Sequence, residues 1–549
     1  MKRIQTLLLL TGLLWLAAGA FGAQVEITIT GQPGNQVVTL GQNAIFNISA
    51  TGQLPLFYRW QFHPGGSLTW SSLSDGASFS GSGTKTLTVI QPGFNNMNGA
   101  LFQCVVTNAL GRATSSPPAV LSVTGIPYLT IITLAGSAGS TGSADGTNNT
   151  ALFSNPRGIA VDNHTNVYVT DMYNHIIRKL TLSGTNWVVN TIAGQAGNFG
   201  STDGTNSNAL FSGPYGIMVD GSGNLYVADT GNNTIRKLTP SGTNWVVSTI
   251  AGLAGNPGST DGSNSNSRFR YPIGIAMDGG GNLYVTDEGN STIRMLKPSG
   301  TNWMASTIAG LAGTNGSADG NNSDARFNGP TGIAVDNHTN VYVADMYGST
   351  IRKLNLVGGN WVVKTIAGLA YGYGANDGIG STAQFNNPTG IAVDGGGNNI
   401  YVADNLNNTV RWLTPVGTDW GVITVAGLAG NSGSNDGTGN GVRFNGPYGI
   451  AVGNHTNVYV ADSLNSTIRG TPSLATPLQL VVQIRQTPGS TFMLTWNAVG
   501  GQTYQVQFNT NLLNQTAWIT LTNVTASSST GIAYILVGPD PHGFYRIVL

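Results

Sequence analysis

Short apolar runs separated by turn residues fill the middle of the chain. One stretch reads Gly216-Ile-Met-Val-Asp220, Asn224-Leu-Tyr-Val-Ala-Asp229, Thr234-Ile-Arg-Lys-Leu238 and Trp245-Val-Val-Ser-Thr-Ile-Ala251. The runs are rich in β-branched and aromatic residues, and Gly, Asn, Ser and Pro lie between them, which predicts four strands joined by turns. No stretch carries sustained helical periodicity. Nearly the same words recur after Pro156, Pro214, Pro272, Pro330, Pro388 and Pro447, at a spacing of 58 residues that becomes 59 only at the last step.

A fixed period of this length means one supersecondary unit copied in series. Four antiparallel strands per unit, repeated six times, predict an all-β chain whose centre is a six-bladed β-propeller. A check on closure comes from the word that ends each fourth strand. Thr-Ile-Ala-Gly begins at Thr191, Thr249, Thr307 and Thr365, with Thr-Val-Ala-Gly at Thr424. A further copy, Thr133-Leu-Ala-Gly136, precedes the first complete unit, whereas the last unit stops after its third strand at Ile468-Arg469. The strand over Ile131 to Leu134 is therefore expected to complete the last blade.

The repeated words also carry a family likeness. Asn155-Pro-Arg-Gly-Ile-Ala-Val-Asp162, then Val167-Tyr-Val-Thr-Asp171, Tyr173-Asn-His-Ile176 and Ile177-Arg-Lys179 resemble the NHL repeat. The resemblance spans residues 128–470 and implies a six-bladed propeller. It does not imply one activity, because propellers of this kind include protein- and RNA-binding modules as well as a peptide-amidating lyase.

The flanks read as separate modules. Lys2 and Arg3 precede an apolar run from Leu7 to Ala20 with small residues behind it, so residues 1–23 read as a secretory signal peptide. Residues 24–124 resemble an immunoglobulin-like domain through Trp60 and Asn98-Gly-Ala-Leu-Phe-Gln-Cys104. The partner cysteine of that pattern is replaced by Ile48, and Phe102 stands where a corner tyrosine is usual, so Cys104 is expected as a buried apolar side chain rather than a reactive thiol. Residues 475–549 alternate apolar and polar in Thr491-Phe-Met-Leu-Thr-Trp496 and Tyr504-Gln-Val-Gln-Phe508, which predicts a small fibronectin-like β-sandwich. The combination implies a bacterial protein that is secreted or held at the cell surface, with the periplasm as the other exported destination.

Charge narrows the partners. Only 8% of residues are charged and the net charge is zero, which excludes the basic patch that nucleic-acid binding needs. No run after the leader approaches the ~20 apolar residues of a membrane-spanning helix.

Six copies in one chain separate scaffold from site, since a residue needed to build a blade recurs in every blade. By that test Asp171, Asp229, Asp287, Asp345, Asp404 and Asp462 are scaffold, paired with Arg178, Arg236, Arg294, Arg352, Arg411 and Arg469. The aspartates are expected to cap short turns, which offer little desolvation. The loop aspartates Asp145, Asp203, Asp261, Asp319, Asp377 and Asp436 each precede glycine and read as turn formers. Their spacing lacks the ligand density of a calcium loop.

Catalysis finds few members. The whole chain has two glutamates, Glu26 and Glu288, and His164, His338 and His455 sit in matching Asn-His-Thr-Asn turns on the far rim, too scattered to share a metal. No catalytic group, metal ligand or cofactor is assigned.

What varies between blades lies where the long fourth-to-first loops and the second-to-third turns meet. Arg157, Tyr215 and Tyr448 follow the fixed prolines, and Met172, Tyr173, His175, Glu288, Met346 and Tyr347 lie in the turns. Arg270 and Tyr271 stand just outside the ring. Aromatic, methionine and single charged side chains on a rigid frame have the composition of a recognition surface. The expected function is non-enzymatic binding or adhesion outside the cell, to a protein or glycan. The alternatives are a metal-assisted lyase or lactonase, and a purely structural surface component.

Overall fold

The structure, a computed structural model, describes residues 26–549 except 40–41, 64–68, 77, 91–96, 98–99, 125–127, 417–418, 454–456, 473–479, 482–490, 498–502, 510–518, 526–529, 537–543 and 549. The leader at residues 1–23 and His455 fall outside the described residues.

From Thr130 to Gly470 the chain builds six antiparallel sheets of five strands each, an arrangement typical of a propeller. In the second repeat the sheet runs outward from Pro214–Val219 through Leu225–Asp229, Thr234–Ser241 and Asn244–Gly252. Four strands per unit were expected, and a fifth is present. The long loop lays the two-residue strand Gly204–Thr205 against Val247 and Val246 on the outer edge. This covers a row of backbone groups that would otherwise face water unpaired.

The inner strands pack around a central channel through a ring of glycines. A Cβ on Gly216 would lie 2.1 Å from the carbonyl oxygen of Ile273 in the next repeat, so only glycine fits. The same approach joins Gly449 of the sixth repeat to the carbonyl of Arg157 in the first. Between neighbouring sheets lie shared cores, such as Tyr168, Ile177 and Ala193 with Ile217, Leu225 and Trp245. Tyr459, Ala461 and Ile468 of the sixth repeat share a core with Val167 and Trp187 of the first. Each large apolar side chain buried in this way contributes roughly 1.5–3 kcal/mol.

The strand Thr130–Ala135 pairs with Thr467–Gly470, setting Thr133 opposite Arg469. It occupies the place that Asn186–Ala193 holds in the first repeat, and the Thr133 hydroxyl donates to Asp436 at 3.0 Å as Thr191 does to Asp145 at 2.9 Å.

Before the propeller, one sheet containing Phe57–His63 and Ala100–Asn108 and another containing Ala44–Asn47 and Thr86–Val89 enclose a single core. Trp60 lies opposite Cys104 across the strands, and Ile48 is in the same core. Phe102 stacks on Phe46 with ring centroids 4.7 Å apart. Burial pushes the Cys104 thiol up to about 12. Beyond residue 479 the described strands form two three-stranded antiparallel sheets. Among the described residues no helix is long and apolar enough to cross a membrane.

Candidate binding site at the channel mouth

Strand register defines one face of the propeller. Pro214 pairs with Asp229, Asp229 with Thr234 and Thr234 with Gly252, so the start of the inner strand, the second turn and the end of the fourth strand lie at one end of the sheet.

The charged rings hold this end together. Arg236 donates to Asp229 at 2.7 Å, with both side chains wholly shielded from solvent, and to Asp203 at 2.8 Å. Asp229 also accepts from the amide of Ser212 and the side chain of Asn232. Burial raises its carboxyl to about 6, against the pull of Arg236 and these donors. Two sequence expectations are corrected here. The inner aspartates are completely desolvated rather than set in exposed turns, because the loop carbonyls of Leu210 and Thr202 close over the same guanidinium. The Asp-Gly aspartates are second carboxylates for the arginines, pinning the long loop to the third and fourth strands.

Inside this frame three of the expected residues meet. The Arg157 guanidinium carbon lies 4.2 Å from the Tyr448 ring centroid and 5.4 Å from that of Tyr215, and the two tyrosines meet edge to face at 5.7 Å. All three are half-buried at the top of a channel of about 270 Å³, beside Ile273, Thr331 and Thr389, with the Gly, Ile, Ala, Val and Met residues of the inner strands as its wall. Burial first, then the neighbouring Tyr215, raises the Tyr448 phenol well above its ordinary range, while Arg157 pulls it down. Glu288 and Tyr347 act on the same phenol from further round the mouth. Burial raises the Glu288 carboxyl, and Arg270 opposes that.

The remaining candidates divide. Tyr173, Arg270, Tyr271 and Tyr347 are exposed, while Met172 and Met346 are half-buried, Met172 lying over Gly213. His175 takes part in the scaffold. Its Nδ1 accepts the Gly213 amide at 3.0 Å, the bond between repeats that Asn233 makes to Tyr271 and Asn408 makes to Gly446. Burial lowers its pKa, in keeping with an unprotonated acceptor.

Backbone geometry singles out Tyr271 from the expected set and adds Tyr371, which the sequence reading missed. Tyr271 has φ of 52° at a place where the other repeats carry Asn155, Gly213, Gly329, Asn387 and Gly446, all with positive φ. Tyr371 has φ of 59° where the other loops carry Gly139, Gly197, Gly255, Gly313 and Gly430. Left-handed backbone disfavours a bulky side chain, yet Tyr271 is 51% exposed and Tyr371 48%. The two flank Glu288 and Tyr347, since the Glu288 amide donates to the Tyr271 carbonyl and the Tyr371 amide to the Gly348 carbonyl. Tyr373 extends the exposed aromatic arc. Aligning the Ala-Gly-Leu-Ala-Gly words would have singled out Tyr371. Among the described residues no group of three or more His, Cys, Asp or Glu is placed to hold a metal. His164 and His338 lie in turns closed by Asp162 and Asp336 at the opposite end of the sheets.

Comparison with known proteins matches the NHL repeat at residues 269–295 and 385–413, so the chain contains NHL repeats. It is 29% identical over 302 residues to NHL repeat-containing protein 2 of Homo sapiens, covering 50% of this chain and 40% of that protein. It is 28% identical over 299 residues to the chloroplastic protein SUPPRESSOR OF QUENCHING 1 of Arabidopsis thaliana, covering 50% of this chain and 26% of that one. The match thus spans less than half the length of either relative. Among solved structures, an auxiliary nutrient binding protein from Bacteroides ovatus superposes with a TM-score of 0.47 at 16% identity, covering 81% of this chain and 97% of the other.

Proposed function

We propose that this is an exported, non-enzymatic binding protein that recognises a protein or glycan through the loop-bearing face of its propeller. In this reading the six sheets form a closed ring completed by the strand Thr130–Ala135. An immunoglobulin-like module precedes the ring and a small β-sandwich follows it. The observation that carries the function is the pair Tyr271 and Tyr371. Each keeps an exposed aromatic ring in left-handed backbone where the other repeats use Gly or Asn. Local stability favours the smaller residue, and backbone strain of this kind collects at functional positions. Aromatic side chains displayed on a rigid frame supply large contact area at low entropic cost.

Screening the purified protein against glycan and peptide arrays tests this directly. A ligand whose binding is lost in Tyr271→Gly/Tyr371→Gly, and retained when His164 and His338 on the far rim are changed to alanine, supports the reading. Binding lost only in the far-rim variant overturns it.

A further inference from the structure

The arginines of the repeats are almost all spoken for. Arg178, Arg236, Arg294, Arg352, Arg411 and Arg469 each hold two carboxylates. Arg268, Arg326 and Arg443 donate to backbone carbonyls, and Arg270 acts on Glu288. Arg157 is different. Its side chain makes no hydrogen bond or ion pair with any described residue; the buried, unpartnered Nε it shares with the six ring arginines, but their terminal nitrogens are all engaged and its own are not. Two tyrosine rings hold the guanidinium over the channel, which fixes its position without satisfying its five donors.

The surroundings say what is missing. The hydroxyls of Thr331 and Thr389, on the matching positions of two other inner strands, are turned to the backbone oxygens of Gly329 and Tyr448. The Tyr215 and Tyr448 hydroxyls have no hydrogen-bond partner among the described residues. What the mouth offers a ligand is therefore one guanidinium fork and two phenols, above a wall of Gly, Ile, Ala, Val and Met. Among the described residues Arg157 is the only charged one lining this cavity, with Glu288 acting on the Tyr448 phenol from outside it. One planar cation without a second positive group matches a single negative charge on a planar acceptor, rather than a phosphate dianion.

Resting on the loop-face reading, we propose that the channel mouth is a carboxylate site. The ligand's carboxylate lies against Arg157 with the phenols of Tyr215 and Tyr448 beside it, and the attached group fits within about 270 Å³. That volume admits a single acidic sugar or the last residue of a peptide, and both present the same chemistry. Tyr271, Tyr347 and Tyr371 then contact whatever extends beyond the mouth.

The test is calorimetric titration of the full chain with two matched pairs: D-glucuronate against D-glucose, and an acetylated dipeptide acid against its amide. The expected result is saturable millimolar-range binding of at least one acid, no binding of its neutral counterpart, and a loss of at least about tenfold in Arg157→Gln. Arg157→Lys, which keeps the charge but not the fork, should fall between. Because Arg157 forms no hydrogen bond or ion pair in the fold and only its stacking on Tyr215 and Tyr448 is lost, the melting temperature of both variants should fall by no more than a few degrees, and the pair that responds identifies the source of the carboxylate. Equal binding of acid and neutral partner, no binding of either acid, or unchanged binding in Arg157→Gln overturns the proposal. An array ligand that survives Arg157→Gln but is lost in Tyr271→Gly/Tyr371→Gly would remove the carboxylate site and leave the loop-face reading standing. A ligand indifferent to both variants would remove both.

Discussion

Arg236 and Asp229 form an ion pair at 2.7 Å with no solvent exposure on either side chain. Removing one member of a buried pair leaves the other charge uncompensated, at a cost of about 3–5 kcal/mol. Asp229→Ala should lower stability by about this amount in denaturant titration. Asp203→Ala, whose carboxylate is half-exposed, should cost about 1 kcal/mol. Equal effects would mean that the inner pair is not the shielded one.

Strain at Tyr271 has a measurable sign. Tyr271→Gly and Tyr371→Gly each restore the residue used by sister repeats and should raise stability by roughly 1 kcal/mol, seen as a higher melting temperature. Most aromatic truncations do the reverse. A lower melting temperature in both would show that the rings contribute to packing.

The strand at Thr130–Ala135 buries Ile131, Leu134 and Ala135. A chain beginning at residue 140 should melt lower and aggregate more than one beginning at residue 126, because the edge at Thr467–Gly470 is then unpaired. Comparing melting curves and sedimentation of the two settles it, and identical behaviour would place the completing strand elsewhere.

His175 links two repeats only while its Nδ1 is unprotonated. Its pKa is lowered from the ordinary 6.5 by burial, so the unfolded chain takes up the proton first. The stability that this bond contributes is present above pH 6.5 and declines as pH falls below it, until the folded-state value is reached. His175→Asn, the residue found at Asn233 and Asn408, should keep the bond and flatten that decline in melting temperature between pH 7 and 5.

With the Cys104 thiol pushed up to about 12, the thiolate at pH 8 is on the order of one part in ten thousand. Iodoacetamide should leave the native protein unlabelled and modify it once denatured. Because the ordinary thiol value is 9.0, any stability linked to this group falls as pH rises from about 9 toward 12. Rapid labelling of the native form would mean that the core around Trp60 opens readily.

How much of this was legible in the sequence follows from how far each relationship reaches along the chain. The strands, the period, the pairing of Asp229 with Arg236 seven residues on, and the sixth Thr-Leu-Ala-Gly word are local or periodic, and periodicity is written directly into residue order. The convergence of Arg157, Tyr215 and Tyr448 was anticipated only as a shared face. That the three side chains touch depends on the inner strands closing together over the glycine ring. Other features were decided by the tertiary structure alone. Asp203 reaches Arg236 because a two-residue edge strand folds the long loop back along its own sheet. His175 is scaffold because its acceptor faces the next repeat, a contact 38 residues away that no single blade contains. Arg157 stands without an ion pair among the described residues: the ring aspartates are held by other arginines, and Glu288, though it acts on the Tyr448 phenol, makes no ion pair with Arg157. A sequence lists the charges, but only packing decides which of them meet and which one is left for a ligand.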